Sequence, residues 1–160
     1  MIILLMGVQG SGKTTIGRAL AERLGWRFAD ADDFHPPANI AKMAAGIPLD
    51  DSDRAPWLAA IRTEIDRTLA DHTNLVLTCS ALKDRYRRVL LTEGVALVYL
   101  RGTQDLISSR LADRAGHFAK LDLLSSQFAD LEEPANAFTI DVSRSVAEIV
   151  EAITDHFRLP

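Results

Sequence analysis

The sequence of 160 residues contains a single cysteine, Cys79, and has no excess of positive charge. One cysteine cannot form an internal disulfide, so a reducing compartment is the simplest expectation. The formal net charge is −4, which offers no electrostatic footprint for nucleic acid or an anionic membrane. If the protein binds an anion, a local site must therefore hold it.

Long apolar runs are also missing from the sequence. The opening run, Ile2–Met6, stops at Gly7 and is too short for a signal peptide or a membrane-spanning helix. Hydrophobic residues make up 48% of the chain and charged residues 25%, a balance typical of globular proteins. We expect one domain over residues 1–160 that works in the cytoplasm as an enzyme or a binding domain.

Segments with the pattern of buried strands alternate with segments of helical spacing. Strands are predicted at residues 2–6, 26–30, 75–80, 95–102 and 137–142. Helices are predicted after Gly12, within 36–45, over 53–72, 83–91 and 103–116, and after Ser145, which forms a capping box with Glu148. Residues 117–134 give mixed signals. The alternation indicates an α/β fold whose mostly parallel sheet is covered by helices on both faces.

The most specific motif follows the first predicted strand. Residues 7–14, GVQGSGKT, match the P-loop pattern G-x-x-x-x-G-K-[ST] in full and lie between a strand and a helix, as the motif requires. Backbone N–H groups of such a loop close around phosphate oxygens, the lysine reaches the β- and γ-phosphates, and the Thr14 hydroxyl ligates Mg²⁺. The residues expected to bind the nucleoside triphosphate here are Gly7, Gly10, Ser11, Gly12, Lys13, Thr14 and Thr15.

Three classes of protein fit a P-loop: a small-molecule kinase, a GTPase-like switch and an ATP-driven module of a larger machine. A switch should carry a base-reading N-K-x-D, but the nearest match, residues 119–122, lacks the Asn. An ATP-driven module usually has an apolar strand that ends in an acid. Here one such strand ends in Cys79 and Ser80, and the next ends in Arg101. These absences favour the kinase.

Carboxylates are concentrated in the stretch FADADDFHPP, residues 28–37. Alternate residues of an extended segment point to one side, so we expect Asp30 and Asp32 to face the cleft in front of the γ-phosphate, with Ala31 turned away. Asp30 can then support Mg²⁺, and Asp32 can hold the acceptor hydroxyl and take its proton. A solvated, acid-rich turn is the alternative.

These residues resemble the gluconokinases of the P-loop type, which are similar to shikimate and nucleoside-monophosphate kinases. The matching stretches are GVQGSGKTT, DADDFHPPANIAKMAAGIPLDDSDRAPWL, CSALKDRYRRVL, RAGHF and LLSSQFADLEEP. The resemblance implies phosphoryl transfer from ATP, with Mg²⁺, to the 6-hydroxyl of D-gluconate. It also implies a P-loop kinase fold with a five-stranded parallel sheet of order 2-3-1-4-5, a mobile lid, and often a homodimer. Asp33 stands where some members have an aromatic residue, so it remains the alternative to Asp32.

Gluconate carries one carboxylate and many hydroxyls, and residues 35–72 are expected to form the helices that bind it. Arg54 is suited to hold the carboxylate through two hydrogen bonds. An ion pair between Arg54 and Asp51 or Asp53 is the alternative. His35 can donate to a sugar hydroxyl, or it can cap the helix that follows it.

Further ligands are expected beyond the third strand and in the lid, residues 114–134. Ser80 and Lys83 lie near the expected acceptor, although Lys83 is equally a solvated residue at a helix start. His117 and Gln127 would contact the substrate from the lid, which excludes water so that ATP is not hydrolysed.

Two arginines stand at the base of this lid. Arg110 and Arg114 are four residues apart and share one helix face. In kinases of the resembling families, one such arginine lies against the adenine and the other contacts the transferring phosphoryl group. We therefore expect Arg110 to bind ATP and Arg114 to act in catalysis, with a solvated charged face as the alternative.

Overall fold

The computed structural model describes residues 1–112 and 117–160, and the side chains of residues 1–112 and 123–160. Its centre is a sheet of parallel strands in the order β2-β3-β1-β4-β5. The strands are β1 Ile2–Met6, β2 Arg27–Asp30, β3 Leu75–Cys79, β4 Val95–Arg101 and β5 Phe138–Asp141. The P-loop kinase sheet expected from the sequence is confirmed.

Helices connect and flank these strands. They are α1 Lys13–Leu24, α2 Pro37–Ala44, α3 Asp51–Ala70, α4 Asp84–Leu90, α5 Gln104–Ala112, α6 His117–Asp130 and α7 Val146–Phe157. The predicted helix over 103–116 is described only as α5, because residues 113–116 lie outside the described part of the chain. α6 fills most of the segment whose sequence signals were mixed. No helix in the described part of the chain is long and apolar enough to cross a membrane.

Capping residues set where two of the helices begin. Asp50 and Asp53 form a capping box, so α3 begins at Asp51, two residues before the predicted start. The predicted box of Ser145 and Glu148 is present at the start of α7. In each box the acid three residues into the helix accepts from the backbone N–H of the capping residue.

The core lies on both faces of the sheet. Ile3 and Leu5 of β1 belong to a cluster that includes buried residues of α1, α5 and α7. Leu4 and Met6, on the opposite face, belong to a cluster with buried residues of α3 and α4, among them Ile61. β1 is therefore buried on both sides, which explains its continuous apolar sequence.

The carboxyl ends of β2, β3 and β1 lie side by side because the three strands are neighbours in the sheet. Met6 of β1 is paired with Cys79 of β3, and Asp30 of β2 with Thr78. The P-loop, the acid-rich stretch and Ser80 therefore start from one edge of the sheet. This edge is where ligands of open parallel sheets bind.

The acid-rich stretch is not extended, contrary to the expectation. β2 ends at Asp30, and Ala31–Phe34 form a 3₁₀ turn. The Asp30 side chain caps this turn by accepting from the backbone N–H of Asp32. Ala31 is fully buried and does not share the exposed side of Asp32, as expected, but the cause is the capped turn and not strand alternation.

Candidate active site

The P-loop joins β1 to α1 and leaves the start of α1 open. Gly10 and Gly12 have φ values of 81° and 91°, in the left-handed region that favours glycine. Gly12 is the N-cap of α1 and has no side chain to cap the helix. The first N–H groups of α1 and the positive end of its dipole are therefore available to an anion. Ser11 is buried, and its Oγ has no hydrogen-bond partner among the described residues.

Lys13 lies folded over this loop. Its Nζ donates to the backbone oxygens of Gly7 at 2.9 Å and Val8 at 3.0 Å. Burial lowers the pKa of Lys13, and the nearby carboxylates of Asp32 and Asp30 oppose that shift. The ammonium group therefore sits between the loop and the two acids, where the phosphates of a nucleotide would also lie.

Thr14 and Asp30 meet at the first turn of α1, as a shared magnesium site requires. The Thr14 Oγ1 donates to Asp30 Oδ2 at 3.0 Å. Both are hard oxygen ligands, which Mg²⁺ prefers. Among the described side chains, no group of three or more His, Cys, Asp or Glu residues is arranged to hold a metal by itself. The pair fits Mg²⁺ of the kind that takes its other ligands from phosphates and water.

Asp32 and Asp33 share the 3₁₀ turn but differ in their surroundings. Partial desolvation, and then the charge of Asp30, raise the pKa of Asp32 above its usual value, while Lys13 and His35 oppose the rise. Asp32 also ranks above Asp30 among the acids whose charge acts on Lys13. Of the two neighbours, Asp32 is therefore the one whose charge acts on Lys13.

His35 follows the turn and lies flat on an indole. Its ring is stacked on Trp57, with centroids 4.6 Å apart and planes 6° from parallel. Its Nδ1 is 3.3 Å from Nδ2 of Asn39. The N-cap of α2 is Pro36, so His35 does not cap that helix. Burial lowers the pKa of His35, with the Arg54 charge acting in the same direction and Asp32 against it.

Arg54 is held by a tyrosine and not by the aspartates weighed as alternatives. Its Nη1 donates to Oη of Tyr86 at 3.2 Å, and the guanidinium lies 5.7 Å from the centre of that ring. Tyr86 in turn donates to Asp51 at 2.7 Å, while Asp53 pairs with Lys42 at 2.7 Å. The half-buried guanidinium keeps further N–H groups for an anionic ligand.

Lys83 contacts the end of α6. Its Nζ forms an ion pair with Asp130 at 3.1 Å. Two residues after the end of α6, Glu132 accepts from the backbone N–H of Asp84 at 2.6 Å, and its own N–H donates to the oxygen of Leu82 at 2.9 Å. The predicted substrate ligand Lys83 is thus paired with the end of α6. Ser80, just before it, is half-buried at the end of β3.

Gln127 reaches the P-loop from α6. Its Oε1 accepts from the backbone N–H of Gln9 at 2.6 Å. The carboxamide therefore connects α6 to the P-loop, which its predicted role as a substrate ligand did not anticipate. Arg114 and the side chain of His117 lie outside the described residues, so their predicted roles stay predictions.

A cavity of about 290 Å³ lies on the other side of the P-loop. Arg110 lines it and is held by a hydrogen bond from Nη2 to the oxygen of Val142 at 2.5 Å. Gly12 and Thr15 line it as well, so the structure brings the predicted nucleotide ligands of α1 and α5 together. Arg144, between β5 and α7, completes this wall and was missed, because nothing in its sequence context distinguishes it from a solvated arginine.

Asn39, Tyr86 and Cys79 are the other site features that were not predicted. Asn39 and Tyr86 are buried and act by holding His35 and Arg54, which only the folded arrangement of α2, α3 and α4 reveals. Cys79 is buried at the end of β3, where burial raises its pKa to about 12. The thiol is therefore protonated and unreactive at neutral pH.

The comparison with known proteins agrees with this arrangement. A probable gluconokinase from Mus musculus is 42% identical over 176 residues, an alignment that covers 96% of each chain. This chain belongs to the gluconokinase family. The family model for shikimate kinase also matches residues 9–158. The protein is therefore a kinase of the P-loop class, and the alternatives of a GTPase-like switch and an ATP-driven module are no longer needed.

Two solved structures are similar to this chain over most of its length. A gluconokinase from Sinorhizobium meliloti 1021 is 44% identical with a TM-score of 0.82, over 93% of this chain and 86% of that one. An unliganded sugar kinase from Janibacter is 39% identical with a TM-score of 0.88, over 99% of this chain and 94% of that one. The similarity therefore extends over nearly the whole chain.

Proposed function

We propose that this protein transfers the γ-phosphoryl group of ATP to the 6-hydroxyl of D-gluconate, giving 6-phospho-D-gluconate and ADP. One observation carries the proposal: Asp30 and Asp32 lie close enough to Lys13 for their charges to influence its pKa, and the pKa of His35 is influenced by both Asp32 and the Tyr86-anchored Arg54. Membership of the gluconokinase family supports gluconate as the acceptor. The P-loop and Lys13 would bind the phosphate donor, Asp32 would act as the acid–base group, and Arg54 would bind the carboxylate of the substrate.

The P-loop side holds the donor. The open N–H groups of α1 bind the phosphates, and Lys13 exchanges its contacts with Gly7 and Val8 for the β- and γ-phosphate oxygens. Thr14 and Asp30 would hold Mg²⁺, which would neutralise charge on the phosphates. Arg110, which lines the adjoining cavity, would lie against the base, and the role expected for Arg114 is contact with the γ-phosphoryl group.

The acceptor side orients gluconate. Arg54 holds the carboxylate at one end, and His35 donates to a hydroxyl along the chain, with Ser80, Lys83, His117 and Gln127 as further contacts. Asp32 accepts the proton of the 6-hydroxyl and aims its oxygen at phosphorus. Partial desolvation already favours the protonated form of Asp32, which helps it to retain the proton that it takes.

The test is ADP release from ATP or GTP against a panel of acceptors. The panel contains gluconate, other aldonates, shikimate, sorbitol and nucleoside monophosphates. We expect turnover with gluconate well above every other acceptor. Activity confined to a nucleoside monophosphate would make the protein a nucleotide kinase, and activity with shikimate alone would move it to the other branch of the matching family.

Quaternary structure and location complete the proposal. We propose a homodimer in the cytoplasm, as the resemblance and the single cysteine suggest. Light scattering on the purified protein measures the mass of the particle, and fractionation of the source cells measures the location. A monomeric mass of 17.6 kDa at working concentration would refute the dimer.

A further inference from the structure

Asn39 is a buried amide in the first half of α2. Its Nδ2 lies 2.8 Å from the backbone oxygen of Asp53 and 3.3 Å from Nδ1 of His35. A backbone carbonyl can only accept hydrogen bonds, so the atom that faces Asp53 must be the NH₂ group and not the amide oxygen. The chemistry of this one neighbour determines which way the amide of Asn39 is turned.

The orientation of Asn39 in turn determines the tautomer of His35. The second hydrogen of the same NH₂ group is available to Nδ1 of His35, and Nδ1 can accept it only without a proton of its own. A neutral imidazole carries its single proton on one of its two nitrogens, so here the proton must be on Nε2. Within the part of the chain that the structure describes, no group accepts from Nε2.

The same neighbourhood fixes the plane of the ring. His35 is stacked on Trp57, and the indole Nε1 donates to the backbone oxygen of Ala31 at 2.7 Å. Ala31 lies between Asp30 and Asp32 in the capped turn. The indole of Trp57 therefore contacts both the imidazole and the turn that carries the acids. This fixes the position of the Nε2–H group relative to Asp32.

We propose that Asn39 is a positioning residue that holds His35 as its Nε2–H tautomer and thereby makes it a hydrogen-bond donor to a hydroxyl of the acceptor. The identity of the acceptor rests on the proposed function, but the tautomer does not. Burial and the charge of Arg54 act with Asn39 to keep the ring neutral, and Asp32 is the opposing charge. A protonated ring would turn an Nδ1–H toward the NH₂ group of Asn39.

The first experiment needs no mutation of Asn39. The chain has 4 histidines, so ¹⁵N-labelled histidine gives few signals, and the His35→Gln variant identifies those of His35. In the unliganded protein, long-range ¹H–¹⁵N spectra should show a neutral ring with its proton on Nε2. A ring with its proton on Nδ1, or an even mixture of the two tautomers, would overturn the proposal.

The second experiment replaces the donor with an acceptor of the same shape. In Asn39→Asp a carboxylate faces Nδ1, so at a pH where the His35 ring is neutral its proton should lie on Nδ1, which leaves Nε2 with no hydrogen to donate. Losing one neutral hydrogen bond to the acceptor corresponds to about a two- to ten-fold increase in KM for gluconate, with a smaller change in kcat.

Lys42→Ala is the matched control. Lys42 also joins α2 to Asp53, through the carboxylate, but it does not touch His35. If Lys42→Ala changes the tautomer as much as Asn39→Asp does, then the docking of α2 is responsible and the proposal fails. If gluconate is not a substrate at all, the NMR result still stands or falls alone, because it is recorded without acceptor.

Discussion

Asp32 and Asp33 are adjacent acids for which we predict different consequences of substitution. The charge of Asp32 influences the pKa of Lys13. Asp33 has only a small influence, on the pKa of Asp32. We expect Asp32→Asn to lower kcat by about 10²-fold or more, with ATP binding retained, because the amide cannot take the proton of the hydroxyl. Steady-state kinetics with gluconate and ATP give the measurement.

Asp33→Asn is the control for this change and should leave kcat within about two-fold of wild type. Asp32→Ala, compared with Asp32→Asn, separates proton transfer from aiming, since the amide keeps one acceptor oxygen. If Asp33→Asn is the damaging change and Asp32→Asn is nearly silent, the catalytic carboxylate has been misplaced by one residue.

The raised pKa of Asp32 also predicts an effect on stability. The folded protein holds this proton more tightly than the unfolded chain does, so ionisation at neutral pH opposes folding. Asp32→Asn should therefore raise the Tm of the unliganded protein at pH 7. The gain should disappear as the pH falls through the raised pKa toward the ordinary aspartate range, because wild-type Asp32 is then also neutral. Thermal unfolding over a pH series would reveal it, and a Tm gain independent of pH would contradict it.

At the scale of elements, α3 and α4 cooperate to present one guanidinium. Arg54 comes from α3 and is anchored by Tyr86 of α4. We expect Arg54→Ala to reduce the preference for gluconate over sorbitol by about 10- to 150-fold, the value of a hydrogen bond to a charged group. Tyr86→Phe keeps Arg54 but removes its anchor, together with the hydrogen bond to Asp51, and should raise KM for gluconate about two- to ten-fold with kcat nearly unchanged.

Arg85→Gln tests whether any disturbance of this tyrosine has the same effect. Arg85 lies 5.3 Å from the Tyr86 ring centre and pairs with Asp51, yet it is exposed and does not hold Arg54. The KM of Arg85→Gln for gluconate should stay within about two-fold of wild type.

If discrimination against sorbitol survives in Arg54→Ala, the carboxylate is bound elsewhere, and Lys83 is the next candidate.

One hydrogen bond, from the Gln9 N–H to Gln127, connects α6 to the P-loop. Gln127→Leu removes the acceptor of the Gln9 N–H and leaves a partly buried donor unpaired. We expect ATP to bind about five- to 50-fold more weakly by calorimetry. Ser126→Ala, an exposed change on the same helix, should bind ATP as the wild type does. Equal affinity in all three proteins would mean that the contact does not support the loop.

At the scale of the whole molecule, local patterns predicted the architecture well. The P-loop, the continuous apolar strand β1 and the capping box at Ser145 each depend on residues close together in sequence, and all three are present. The 3₁₀ turn at Ala31–Phe34 was missed, although it is also local, because the Asp30 side chain competes with strand geometry by capping the backbone.

Long-range pairs account for the rest of what the sequence could not predict. Gln127 and Gln9 are 118 positions apart, and Arg54 and Tyr86 are 32 apart. Either partner alone is an ordinary polar residue on a helix or loop, and no spacing rule connects it to the other. The sequence therefore predicted which residues bind ligands more readily than it predicted the residues that hold them in place.

Because Cys79 is buried, the rate at which its thiol reacts reports how often this part of the sheet opens. A thiol whose pKa is about 12 and which has almost no exposed surface can react only when the strands beneath the cleft part. Because no second cysteine competes, the rate of modification by a disulfide reagent counts those openings directly. We expect the native protein to react far more slowly than the protein in denaturant, and more slowly again with MgATP, which should clamp the loop that continues from the neighbouring strand. Equal rates with and without nucleotide would mean that the floor of the cleft opens independently of what is bound above it.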